Sequence, residues 1–166
     1  MSDGVPKRAH FPECSMDKRV LLICSGGGHL VQMQRIAVAA RTTGTLTLAT
    51  VAAEQELKGD VYDAVVSLPD FNRQSPFAAL LGIPKVFFKV LFLRPTHIIS
   101  TGAAPGIIGI IAGRFVGART LWIDSIANTR RLSVSGRIAL RVSHQVFTQW
   151  PSLADDHKVL YCGKII

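Results

Sequence analysis

The run Ser25-Gly26-Gly27-Gly28-His29-Leu30 sets three glycines and an imidazole between an apolar hexad, Arg19 to Cys24, and a stretch with helical periodicity. Glycines at such a turn let backbone N–H groups approach an anion at a helix N-terminus, where the helix dipole favours negative charge. A phosphate or pyrophosphate is the natural occupant of Ser25, Gly26, Gly27 and Gly28. His29 adds a group able to exchange a proton near neutral pH. The plainer reading is a strand-to-helix turn that His29 caps. The dinucleotide fingerprint matches only in part: it would start at Gly26 and needs a small residue where Val31 stands, although Glu54 could serve as its ribose-binding acid. The sequence holds no G-x-x-x-x-G-K-[ST], which excludes an ordinary P-loop nucleotidase.

Two more clusters have the same placement. In "STGAAPGIIGIIAGRFVGA", Ser100 to Ala118, Thr101 and Gly102 lie at a strand end and are candidate ligands, Pro105 suits a first helical turn, and Gly106, Gly109, Gly113 and Gly117 suit close helix-to-sheet packing. Further on, Asp124 closes a strand, Arg130 and Arg131 follow in a loop, and Arg137 and Arg141 are one helical turn apart. The arginines form either an anion-contacting group or a solvated basic face.

Residues of this kind act only where the chain gathers them, and the pattern of elements says how. Short apolar runs at 19–24, 46–51, 63–68, 97–100, 119–124, 145–149 and 159–162 read as strands covered on both faces. Helical patterns at 29–40, 76–93, 105–116 and 134–143 alternate with them, and a short helical turn fits 151–155. This is the rhythm of βαβ units, so the expected fold is α/β: a single Rossmann-like domain with a mostly parallel sheet flanked by helices. Ligands of such sheets bind at the carboxyl ends of the strands, where all three clusters fall.

"PFAALLGIPKVFFKVLFLRP", Pro76 to Pro95, is apolar around most of its circumference, with Lys85 and Lys89 on one face. It is either buried against the sheet or an interfacial element. In the second case Phe87, Phe88, Leu91 and Phe92 enter the acyl boundary while Lys85, Lys89 and Arg94 meet head groups.

The 166 residues, 48% hydrophobic, suffice for one compact domain over 19–166, preceded by a polar segment, 1–18, that reads as a mobile, disordered tail. A net charge of +8 points to acidic partners such as phosphorylated substrates or anionic lipid. Nucleic acid is not expected, because no basic, aromatic-studded sheet or recognition helix is seen. Three cysteines, Cys14, Cys24 and Cys162, lack metal or disulfide spacing, which fits a reducing cytoplasm. No cofactor or metal is expected, and no apolar run reaches the length of a membrane span.

From Asp124 the run D-S-I-x-x-x-x-x-L-S-x-S-G-R, then "QWPSL" and the closing "YCGKII", resembles the acceptor-side subunit of two-part glycosyltransferases, the eukaryotic Alg-fourteen proteins and the bacterial PssD-type polysaccharide proteins. "SGGGHL" and "STGAAPG" resemble that family's two glycine turns, so the likeness covers about Arg19 to Ile166. The resemblance implies the N-terminal half of a MurG-like enzyme of the GT-B architecture, which handles a lipid-pyrophosphate-linked sugar acceptor at the cytoplasmic face of a membrane, in bacteria the inner one. A separate donor-binding subunit would supply the UDP-sugar half and dock near the closing segment, and the complex would serve polysaccharide or lipid-linked oligosaccharide biosynthesis.

On this reading His29 is the first candidate base and Asp124 the second, as base or as a group orienting the acceptor. Arg130, Arg131 and Arg137 would contact the acceptor pyrophosphate or lipid phosphates. Trp150 and Pro151 would pack the hinge between halves. Eukaryotic members carry an N-terminal membrane helix where residues 1–18 here are polar, so segment 76–95 would take over anchoring. The family usually has Glu at the place of Asp124, whose reach is one methylene longer. Two rivals remain at this point: a non-catalytic membrane scaffold that recruits the donor-binding subunit, and a stand-alone nucleotide-binding Rossmann enzyme.

Overall fold

A computed structural model describes residues 18–51, 61–69, 76–155 and 157–165. The expected tail, apart from Lys18, and Glu54 lie outside the described residues. Seven strands form one wholly parallel sheet: β1 (Arg19–Cys24), β2 (Thr45–Thr50), β3 (Ala64–Ser67), β4 (His97–Ser100), β5 (Arg119–Ile123), β6 (Gln145–Thr148) and β7 (Val159–Tyr161), in the order β3-β2-β1-β4-β5-β6-β7. Each coincides with an expected strand to within a residue at either end. Among the described residues the helices are α1 (Gly28–Ala40), α2 (Pro76–Leu93), α3 (Ala103–Phe115) and α4 (Val134–Val142), and 3-10 turns occupy Arg41–Thr43 and Pro151–Leu153. The first of these turns has no counterpart in the sequence reading.

The order reverses between β1 and β4, which pair in parallel with Ile23 opposite Ser100. That is the topological switch point of an open α/β sheet, the place where diverging helices leave a crevice. Side chains of β1 alternate accordingly. Val20, Leu22 and Cys24 pack under α1 with Leu30, Met33 and Ala37, whereas Leu21 and Ile23 pack on the other face with residues of α2, α3 and α4. Trp122, wholly buried, fills the second core beneath α3 and α4.

Helix α3 lies close on the sheet because its inner stripe has no side chains. A Cβ at Gly109 would come within 2.1 Å of Ile23 Cδ1, and one at Gly113 within 2.2 Å of Ile98 Cδ1. Interiors packed at crystal-like density absorb such additions badly. We expect Gly109→Val to lower unfolding free energy by about 1–3 kcal/mol in urea denaturation; an unchanged midpoint would show that α3 can lift off without cost.

Candidate functional site

At the upper edge of the sheet β1 and β4 end side by side, so the two glycine turns face each other. Gly27 closes the first at φ 62, and α1 starts at Gly28 with no side-chain cap and no acidic residue in its first turn. His29 therefore does not cap the helix. The second turn holds Gly102 at φ 146 and Ala103 at φ 63, again without a side-chain cap or an acid at the start of α3. An alanine in the left-handed region costs of order 1 kcal/mol, and strain of this kind collects at functional turns. Two uncompensated helix N-termini thus open at one crevice, an arrangement that favours an anion.

The turns are locked together through His29. Thr101, fully buried, donates its hydroxyl to the His29 carbonyl at 2.9 Å. The imidazole lies flat against Gly102, where a Cβ would stand 2.3 Å from Cε1 and 2.5 Å from Nδ1. His29 Nδ1 is buried without a hydrogen-bond partner. A buried, unsatisfied polar atom costs about 1–3 kcal/mol, and a catalytic role is one reason for such an atom to persist. A ring that accepts a proton at Nε2 carries its own hydrogen on Nδ1.

Asp124 also reaches this edge, one strand further, but its carboxylate is fully engaged. Oδ1 accepts from Trp122 Nε1 at 3.2 Å and from the Ser133 hydroxyl at 2.6 Å; Oδ2 accepts from Ser133 N at 2.9 Å and Asn128 Nδ2 at 3.3 Å. With 2% of its surface exposed, Asp124 ties the loop 125–133 to the sheet and holds Ser133, which caps α4 by accepting from Gly136 N at 2.8 Å. This geometry suits an anchor for the following loop better than direct contact with an acceptor, the role read from sequence. The other nearby reactive group is also quiet, because burial pushes the Cys24 thiol up to about 11 despite a lowering contact with the Thr50 hydroxyl.

Arg130, Arg131 and Arg137 stand exposed on that loop and on α4. The structure brings Ser25, Gly26, Gly27, Gly28, His29, Thr101 and Gly102 together and sets these arginines to one side. Along α2 the outward stripe is Leu81, Lys85, Phe88 and Phe92, with Phe92 89% exposed and Phe115 of α3 74% exposed. Phe87 turns inward, edge-on to Phe115 at 5.5 Å. Leu91 is half-buried, Lys89 hydrogen-bonds the Ser67 carbonyl, and the Arg94 side chain is exposed. No helix among the described residues is long and apolar enough to cross a membrane.

Solved structures share this arrangement of elements. MurG of Acinetobacter baumannii superposes with a TM-score of 0.66 at 12% identity, covering 86% of this chain and 45% of that one. The fold is one half of the GT-B architecture. A UDP-N-acetylglucosamine 2-epimerase from Rickettsia bellii (TM-score 0.65, 12% identity, 89% of this chain and 45% of that one) and a glycosyltransferase from Rickettsia africae (0.60, 12%, 89% and 43%) are similar in the same way. The chain spans less than half the length of each of these structures, and at such identities the likeness is one of fold. No protein-family model matches the sequence, and no curated protein is significantly similar to it.

Sequence reasoning missed the seating of His29 on Gly102, because a contact between residues 73 positions apart depends on strand order. Asp124→Ala should cost about 3 kcal/mol in urea denaturation and expose loop 125–133 to protease, since it strands donors in the interior. Unchanged stability would release Asp124 for another role. Gly102→Ala should displace the imidazole, read as a shift of the His29 ring resonances with the remaining histidines unmoved.

Proposed function

We propose that this chain is the acceptor-side, membrane-associated subunit of a two-part UDP-sugar glycosyltransferase of the Alg-fourteen and PssD type, extending a polyprenyl-pyrophosphate-linked sugar. The observation that carries the reading is the crevice between β1 and β4, where two glycine turns, two uncapped helix N-termini and one imidazole converge. The GT-B half-fold supports it, and the motif resemblance supplies the family and the acceptor.

The acceptor pyrophosphate rests on the N–H groups of Gly27, Gly28 and the Gly102 turn, and the exposed Arg130, Arg131 and Arg137 to one side of it offer charge to lipid phosphates. His29 takes the proton of the acceptor hydroxyl as that oxygen bonds to the anomeric carbon and the bond to the UDP phosphate breaks, UDP leaving with the electron pair. Seating on Gly102 holds the ring in place before substrate arrives, which is the condition for efficient proton transfer. Asp124 contributes by fixing the arginine-bearing loop.

The outward stripe of α2 supports membrane contact, since it alternates phenyl groups with Lys85 and lies on a helix that would rest in the head-group plane. The closing segment supports a partner at the other end of the sheet. Ile165 N donates to Gln149 Oε1 at 2.9 Å, Lys164 lies 4.3 Å over the Trp150 ring, and a recess behind them is floored by Leu121, Ile123 and Phe147 on the face opposite α3. A donor-binding subunit would cover those apolar residues. The scaffold reading keeps one point in its favour, the full engagement of Asp124, which leaves His29 as the residue that decides between them.

Sugar transfer from labelled UDP-sugars to lipid-linked acceptor, assayed with this chain and its donor-binding partner, should fall about 10²- to 10⁴-fold for His29→Ala while co-purification of the two subunits is unchanged. Loss of activity only in step with loss of the complex would favour the scaffold. Phe88→Ser with Phe92→Ser should reduce sedimentation with anionic vesicles severalfold at unchanged thermal stability, and undiminished sedimentation would remove α2 from the membrane.

A further inference from the structure

The opposite, N-terminal edge of the sheet carries a cavity of about 690 Å³ that the acceptor chemistry does not use. Its apolar floor includes Val20, Ile36, Ile99 and Leu121, and its rim holds Lys18, His97, Arg119 and His144. Among the described lining residues none is acidic. From the far side of His144, Arg114 of α3 adds a further cation, its Nη1 2.6 Å from Nε2. Asp63, at the start of β3, is occupied by Arg41 at 2.6 Å and by Leu46 N at 2.7 Å.

His144 is held between β5 and α3. Its Nδ1 receives the Thr120 backbone N–H at 3.0 Å and lies 3.0 Å from the Thr120 hydroxyl, standing in for a ladder carbonyl at the start of β6. Its Nε2 faces the Arg114 guanidinium on the other side of the ring. Burial, then Lys18 and Arg119, hold His97 below the ordinary imidazole range; burial, then Arg114 and Arg119, do the same for His144. Burial is the larger cause in both rings, and the neighbouring cations add to it.

We propose that this basic rim is a second anion site, in which Arg119, His144, Lys18 and His97 hold a phosphate group whose apolar remainder lies on the cavity floor. The site is separate from the glycine crevice and independent of the glycosyltransferase reading. Its ligand is a phosphate carried either by a lipid head group or by a soluble amphipathic metabolite. Protonating either imidazole adds a positive charge to the rim, so binding strengthens as pH falls through and below the ordinary imidazole range.

The test is ring-proton NMR of the histidines in the full chain, titrated with sulfate as a probe that stays dianionic across the range, against chloride at equal ionic strength. Sulfate should raise the His97 and His144 pKa values above their values in chloride and leave His29 responses separable by the His29→Ala variant. Affinity should be about tenfold higher at pH ~6 than at pH ~8. Arg119→Gln, and separately Lys18→Gln, should weaken sulfate binding about tenfold without lowering the thermal midpoint. Inorganic phosphate should compete with sulfate. Phosphatidic acid vesicles whose binding falls in Arg119→Gln identify a lipid source, and vesicle binding indifferent to that variant identifies a soluble one. Equal histidine shifts in sulfate and chloride, or full sulfate affinity in both variants, would overturn the proposal.

Discussion

The parallel pairing of β1 with β4 is the constraint on which the rest of this structure depends. Because the strand order reverses there, the helices that follow these two strands leave on opposite faces, and the chain between strand end and helix start must turn sharply twice at neighbouring places. Gly27 and Gly102 supply positive φ at those turns, and the second glycine leaves room for an imidazole from the first. The reversal in strand order thus opens a crevice between two uncapped helix N-termini, with an imidazole in its wall.

The remaining architecture keeps that crevice rigid. Bare backbone on the inner stripe of α3 lets the helix lie against Ile23 and Ile98, which fixes the direction from which its N-terminus meets the crevice. One strand further, the buried Asp124 carboxylate gathers Trp122, Asn128 and Ser133 and sets where α4 begins. Gln149, itself buried, donates to the Asp124 carbonyl at 3.0 Å and accepts from Ile165 N, so the closing segment is coupled by two hydrogen bonds to the loop that bears the arginines.

The two faces of the sheet are unequally dressed. Helices α2, α3 and α4 share one face, while α1 covers β1 and β2 on the other. A parallel sheet is normally covered on both sides, so the half-buried Ile99, Leu121 and Phe147 ask for further cover. The charge is unequal too, with described cations ungathered by acids at the N-terminal edge and on the arginine loop. The net charge of +8 is thus spread over the surface unevenly.

The sequence alone determined the elements and their order, because apolar runs, helical periodicity and the glycine and proline breaks are local signals; every strand and all four helices fall within a few residues of their expected bounds. It also marked Ser25 to His29, Thr101, Gly102 and Asp124 as strand-end residues, since position after an apolar run is legible along the chain. Tertiary structure decided what those positions do. That His29 rests on Gly102 and not on its own helix terminus follows from the register of β1 against β4, and the filling of every acceptor position on Asp124 follows from a loop folding back over Trp122. The outward turn of Phe92 and inward turn of Phe87 were likewise beyond a helix apolar on nearly all sides, whose buried face is chosen by the neighbouring α3. Hydrophobic pattern is written residue by residue, whereas a site is a set of distances between strands, and only the packed sheet defines those.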